Sequence, residues 1–144
     1  MVNILFICKF NRFRSRVAEA YFKKINKDKM IGVKSAGLIE GSYPLNPDQV
    51  KEAKRFGLNI NGLPKGISTK LLVWHDILVI VADDVSKKIF SDSKRYGKKI
   101  VVLKVKDNLT GNGVSATDSI KKVIKKVDWF NKKLVKGKWS TSKM

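Results

Sequence analysis

Cysteine and histidine each occur once in the 144 residues, and 12 acidic side chains stand against 31 basic ones. A lone cysteine excludes an intramolecular disulfide and a multi-cysteine zinc site, and it fits a reducing compartment such as the cytoplasm. The one histidine, His75, stands beside Trp74 without partner ligands and makes no metal site. No apolar run is long enough to span a membrane, and Val2–Cys8 lacks the basic flank of a signal peptide. We therefore expect a cytoplasmic protein with no metal and no membrane partner. Prolines number only three, and neither an internal repeat nor a linker-like stretch divides the chain. With 43% hydrophobic residues the chain can fill one core. The expected organisation is a single domain over residues 1–135. Residues 136–144 hold too little apolar material to pack and are expected to form a mobile basic tail.

The formal net charge is +19, carried mostly by lysines scattered over nearly every segment. Scattered lysine is ordinarily a solvated surface. Arginine is sparser and more telling, because its planar fork binds phosphate where lysine offers a point charge. Of the five arginines, Arg12, Arg14 and Arg16 fall together. No nucleic-acid-binding module is visible, so the charge alone gives nucleic acid weak support as a partner.

Apolar patterning alternates between strand and helix. After the first apolar run, Ser15 is placed to cap a helix with Ala18, Tyr21, Phe22 and Ile25 at helical spacing. Met30 to Gly37 reads as a second strand. Asn46 caps the next helix, with Pro47 in its first turn and Gln49 reaching back, and Gly57 stops it. Thr69 to Trp74 reads as a short helix. Asp76 to Ala82 is nearly continuous and apolar, as a parallel strand covered on both faces must be. Asp84 is placed to cap a helix over Val85 to Tyr96, which leads to a strand over Lys99 to Val105. A polar loop, Lys106 to Gly113, precedes a last helix with Ile120, Val123, Ile124, Val127, Phe130 and Leu134 on one stripe. This order predicts an α/β three-layer sandwich: a four-stranded parallel sheet with helices on both faces. Ligands bind beyond the carboxyl ends of such strands. Cys8, Ser35, Asp83 and Asp107 all fall there.

The segment Cys8-Lys9-Phe10-Asn11-Arg12-Phe13-Arg14-Ser15 carries the chemistry. A thiol at a strand exit faces a helix N-terminus and a guanidinium, both of which favour thiolate. The loop can hold a phosphate-shaped anion. The plainer reading of a lone cysteine there is a small buried hydrophobe.

Over roughly residues 2–135 the chain resembles the low-molecular-weight protein tyrosine phosphatases and their relatives, the thioredoxin-coupled arsenate reductases. The likeness rests on Cys8-x5-Arg14-Ser15, Ala18-Glu19-Ala20, Ser35-Ala36-Gly37 and the stretch from Asn46 through Pro47-Asp48 to Gly57-Leu58-Asn59-Ile60. It implies a phosphotyrosine phosphatase I-like fold and no cofactor. The implied activity is a phosphomonoesterase acting on a phosphotyrosine protein or small aryl phosphate, releasing inorganic phosphate through a phosphocysteine. In that likeness Cys8 is the nucleophile, and Arg14 grips the phosphoryl oxygens. Lys9, Phe10, Asn11, Arg12, Phe13 and Ser15 form the binding loop, its backbone N–H groups turned inward. Ser35 holds Asn11, whose side chain tolerates a left-handed backbone. Asp107 is the implied proton donor. Asp83 and Asp84 are its rivals, and a plain turn aspartate is the alternative for an Asp-Asn pair.

The chain departs from the family pattern at several positions. Phe10 replaces a glycine, Phe13 a second cysteine and Arg16 a proline; Asn108 replaces the proline after the acid, and Leu109 and Thr110 stand where tyrosines often follow. Without a second loop cysteine, oxidised Cys8 lacks a local disulfide partner. Phe10, Phe13 and Tyr43 are candidates for an aromatic wall. Two alternatives stay open: an arsenate reductase-like enzyme using an external thiol, and a non-catalytic phosphate- or nucleic-acid-binding protein.

Overall fold

The computed structural model describes residues 1–40, 44–91, 98–108 and 113–137. Tyr43, Leu109, Thr110 and all but the first two residues of the expected tail lie outside them. The strands are β1 (Val2–Cys8), β2 (Ile31–Gly37), β3 (Ile77–Val81) and β4 (Lys99–Leu103). The α-helices are α1 (Arg14–Ile25), α2 (Pro47–Arg55), α3 (Thr69–Trp74) and α4 (Ala116–Val135). All strand pairs are parallel, in the order β2-β1-β3-β4.

Period-2 alternation explains why β1 and β3 are apolar throughout. Ile4 and Phe6 with Ile77, Val79 and Val81 face one layer, built from Val17, Ala18 and Phe22 of α1, Ala53 of α2 and the α4 stripe. Leu5 and Ile7 with Leu78 and Ile80 face the other, where Leu71 and Leu72 of α3 and Phe90 pack. The fold is thus a three-layer α/β sandwich with both faces of the parallel sheet covered. Phe6, Phe22 and Phe130 lock sheet, α1 and α4 together, their ring centroids 5.8–6.2 Å apart.

Several local expectations hold and others are corrected. Asn46 caps α2 by accepting from the Asp48 and Gln49 N–H groups, Pro47 opens that helix, and Gly57 follows it at φ 74°. Ser15 does not cap α1, which begins at Arg14 with no side-chain cap. Among the described residues Asp84 caps no helix either: a 3-10 helix over Lys87–Phe90 is capped by Ser86, whose Oγ accepts from Lys88 N at 3.2 Å. The rest of the helix expected there, up to Tyr96, lies beyond the described residues. β4 stops short of Val105, whose carbonyl serves the Asp83 N–H and the Arg14 side chain.

The strand order places β1 between a neighbour reached early, β2, and one reached late, β3. Connections leave in opposite directions on its two sides, which opens a crevice at its carboxyl end. Cys8 is the last residue of β1.

Candidate active site

The loop from Cys8 to Arg14 is held from behind by a chain of buried polar groups. Asn11 is the one described non-glycine residue with positive φ, at 55°, and it is fully buried. Such a conformation persists only where the surroundings determine it. Here Asn11 Nδ2 donates to Ser15 Oγ at 2.8 Å and to Ser35 Oγ at 3.0 Å. Asn11 Oδ1 accepts from Lys65 N, and its backbone oxygen accepts from Arg16 Nε. Ser35 in turn donates to Glu19 Oε1 at 2.6 Å. Because Ser15 Oγ accepts from Asn11, its hydrogen can point to Cys8 Sγ, 3.0 Å away. That is why Ser15 leaves the helix end uncapped: its oxygen and hydrogen are both taken by tertiary partners.

Arg14 is equally constrained. It is 2% exposed, with Nη1 donating to Asp84 Oδ1 and Val105 O at 3.0 Å each and Nη2 to Asp84 Oδ2 at 3.4 Å. Asp83 Oδ1 lies 3.6 Å from Nη1. Both acidic rivals to Asp107 therefore serve the guanidinium. A guanidinium has five N–H donors. These bonds leave Nε–H and one Nη2 hydrogen on its side edge, a fork suited to two oxygens of a phosphoryl group.

Cys8, Phe10, Arg12, Phe13, Arg14 and Asp107 line one small cavity of about 20 Å³, together with Gln49. The structure so gathers six of the ten residues singled out in the sequence; Asn11, Ser15 and Ser35 stand behind the loop, and Lys9 stands with its Nζ 5.4 Å from the centre of the Phe10 ring. Phe10 takes the place of a glycine without adopting a left-handed backbone, and its ring is half-buried. Phe13 is a core residue, 3% exposed. The loop's close approach is made instead by Gly37, where a Cβ would lie 2.6 Å from Phe10 C and 2.8 Å from Asn11 N.

Arg16, in place of a proline, braces the loop: besides Asn11 O, it donates to Ile60 O at 3.2 Å. Burial lowers its pKa, opposed by the Glu19 carboxylate. Sequence reasoning missed Glu19, Gln49 and the reason for Gly37. Glu19 had a local signal, lying one helical turn beyond Ser15 on the same face. Gln49 was read as part of a cap, but its Nε2 donates to Asn108 Oδ1 at 2.6 Å, 59 residues along the chain.

The strand–loop–helix thus brings a cysteine thiol, an arginine fork and an aspartate to one cavity, side chains of the types that can handle a phosphate-shaped anion. The model of the low molecular weight phosphotyrosine protein phosphatases matches residues 3–118, and the chain belongs to that family of hydrolases. Solved structures agree in fold. A protein tyrosine phosphatase from Entamoeba histolytica shares 20% identity at a TM-score of 0.81, covering 96% of this chain and 99% of its own. The YwlE arginine phosphatase from Geobacillus stearothermophilus shares 17% at 0.78, covering 95% of each chain. A mutant of YwlE from Bacillus subtilis shares 23% at 0.75, covering 93% of this chain and 99% of its own. No curated protein matches the sequence. Among the described residues no helix is long and apolar enough to cross a membrane.

Proposed function

We propose that the protein is a cysteine-dependent protein tyrosine phosphatase that hydrolyses aryl phosphates in two steps. Cys8 Sγ attacks phosphorus while the bond to the leaving oxygen breaks, and Asp107 supplies the proton that oxygen needs. Arg14 holds two equatorial oxygens through its side edge, and the inward N–H groups of residues 9–13 share the charge that builds there. Water then releases inorganic phosphate and restores the thiolate. The observation that carries this reading is the Asn11–Ser15–Cys8 chain, which directs a hydroxyl hydrogen at Sγ from 3.0 Å and stabilises the anionic nucleophile.

The fold accommodates both tyrosine and arginine phosphatases by the names of its neighbours, so it does not choose the leaving group. What favours an aryl group is the lining: the half-buried Phe10 ring with Lys9 beside it, and Arg12 in the same cavity. A flat, neutral ring can stack there, while a second guanidinium meets like charge. Hydrolysis of p-nitrophenyl phosphate by the wild type and by Cys8→Ser tests the proposal. Turnover by the first and a loss of at least about 10³-fold in the second is expected; comparable rates would sink it. Thiol-dependent arsenate reduction, which a chain with one cysteine could perform only with an external thiol, is the competing outcome.

A further inference from the structure

Gln49 is 1% exposed and lines the cavity that holds Cys8, Arg14 and Asp107. Its Nε2 is committed to Asn108, and its Oε1 is buried with no hydrogen-bond partner. Leaving a buried acceptor unmet costs about 1–3 kcal/mol. No part of the first chemical step uses this oxygen: phosphoryl oxygens carry no donors for it, nor does an aryl leaving group. A bound water needs at least two polar partners. Gln49 Oε1 and the Asp107 carboxylate belong to residues that line this one cavity, and each is an acceptor for a hydrogen of a single water.

Resting on the phosphatase reading above, we propose that Gln49 holds the water that hydrolyses the phosphocysteine. The water oxygen attacks phosphorus as the P–S bond breaks, and the bonding pair returns to Cys8 as thiolate. One water proton passes to Asp107, and the other, held by Gln49 Oε1, stays on the phosphate released. Gln49 acts in the second step alone, and α2, which carries it, is part of the hydrolytic machinery.

Rapid-quench hydrolysis of p-nitrophenyl phosphate separates the two steps, since the first releases p-nitrophenolate as a burst. In Gln49→Met, of similar length but without the acceptor, the burst should keep its rate. Steady-state turnover should fall about tenfold, the effect of one lost hydrogen bond in the transition state. Asn108→Ala, which removes the tether but not the acceptor, should keep steady-state turnover within about threefold of the wild type. A parallel fall of burst and turnover in Gln49→Met overturns the proposal, as does an unchanged steady state. The same burst-to-turnover split in Asn108→Ala overturns it too, assigning Gln49 to tethering the Asp107 loop. These outcomes all require a wild type that turns over; a wild type with neither burst nor turnover refutes the phosphatase reading itself.

Discussion

Behind the Cys8 loop and at the amino end of the sheet lie two buried clusters of polar side chains, and they differ in how completely they are paired. At the carboxyl end, Asn11, Ser15, Ser35 and Glu19 form a continuous chain in which every polar atom of the Asn11 side chain has a partner. At the amino end, Asn3 donates to Trp74 O but leaves Oδ1 unpaired, and fully buried His75 leaves Nε2 unpaired. Polar groups in a low-dielectric interior fix geometry when satisfied and cost stability when not. The carboxyl-end cluster therefore shapes the loop around Cys8. The amino-end cluster spends stability to no catalytic purpose, and changes there should leave chemistry alone.

The sharpest way to break that contrast is to strike the carboxyl end in groups that differ in role. Asp107→Asn removes the proposed proton donor and should lower kcat/KM, which reports the first step, by about 10²–10³-fold on an aryl phosphate. The loss should be smaller for substrates with better leaving groups, as a series of substituted phenyl phosphates will show; a loss independent of the leaving group contradicts the acid role. Asn11→Ala removes the residue at φ 55° and two donated hydrogen bonds. We expect a fall in kcat/KM of about 10–10²-fold from a misplaced loop, with about 1–3 kcal/mol of stability lost in urea unfolding. Gly37→Ala places a methyl against the backbone of Phe10 and Asn11 while leaving every side chain that does chemistry in place. A roughly tenfold loss of kcat/KM is expected, together with about 1–3 kcal/mol of overpacking strain. Full activity in Gly37→Ala means that the loop does not need this approach.

These effects also show what the chain could reveal before folding. Strand and helix periods were legible because both sheet faces are covered, which forces unbroken apolar runs on β1 and β3. The Cys8–Arg14 loop was legible because its spacing is local. What escaped were bonds that tie distant segments. Ser15 and Asp84 each have the side chain of a helix cap at a helix start, and propensity favours that use. Tertiary partners overrode it, Cys8 and Asn11 for the one and Arg14, 70 residues away, for the other. Gln49 was hidden for the same reason: its partner Asn108 lies 59 residues on. The loop's packing escaped for the same reason: the backbone of Phe10 and Asn11 lies against Gly37 on the neighbouring strand, where a Cβ would sit 2.6 Å from Phe10 C.

The smallest effect belongs to the amino end and tests the contrast from its other side. Burial lowers the pKa of His75, and the nearby Lys98 ammonium adds to the shift, while the Leu71 and Leu72 carbonyls and Asp76 oppose it. Folded His75 is therefore neutral where the unfolded imidazole, with a pKa near 6.5, already takes a proton. The unfolded state binds more protons, so stability should be constant above about pH 7.5 and fall as pH drops through 6.5. A single group sets a slope of at most about 1.4 kcal/mol per pH unit. Urea midpoints measured from pH 8 to 5 should show this fall in the wild type and a shallower one in His75→Phe. At pH 7.5, kcat/KM of His75→Phe should match the wild type, because the ring stands at the opposite end of the sheet from Cys8. A pH slope that survives the substitution assigns the loss to other groups. A fall in kcat/KM instead joins the two ends of the sheet into one functional unit.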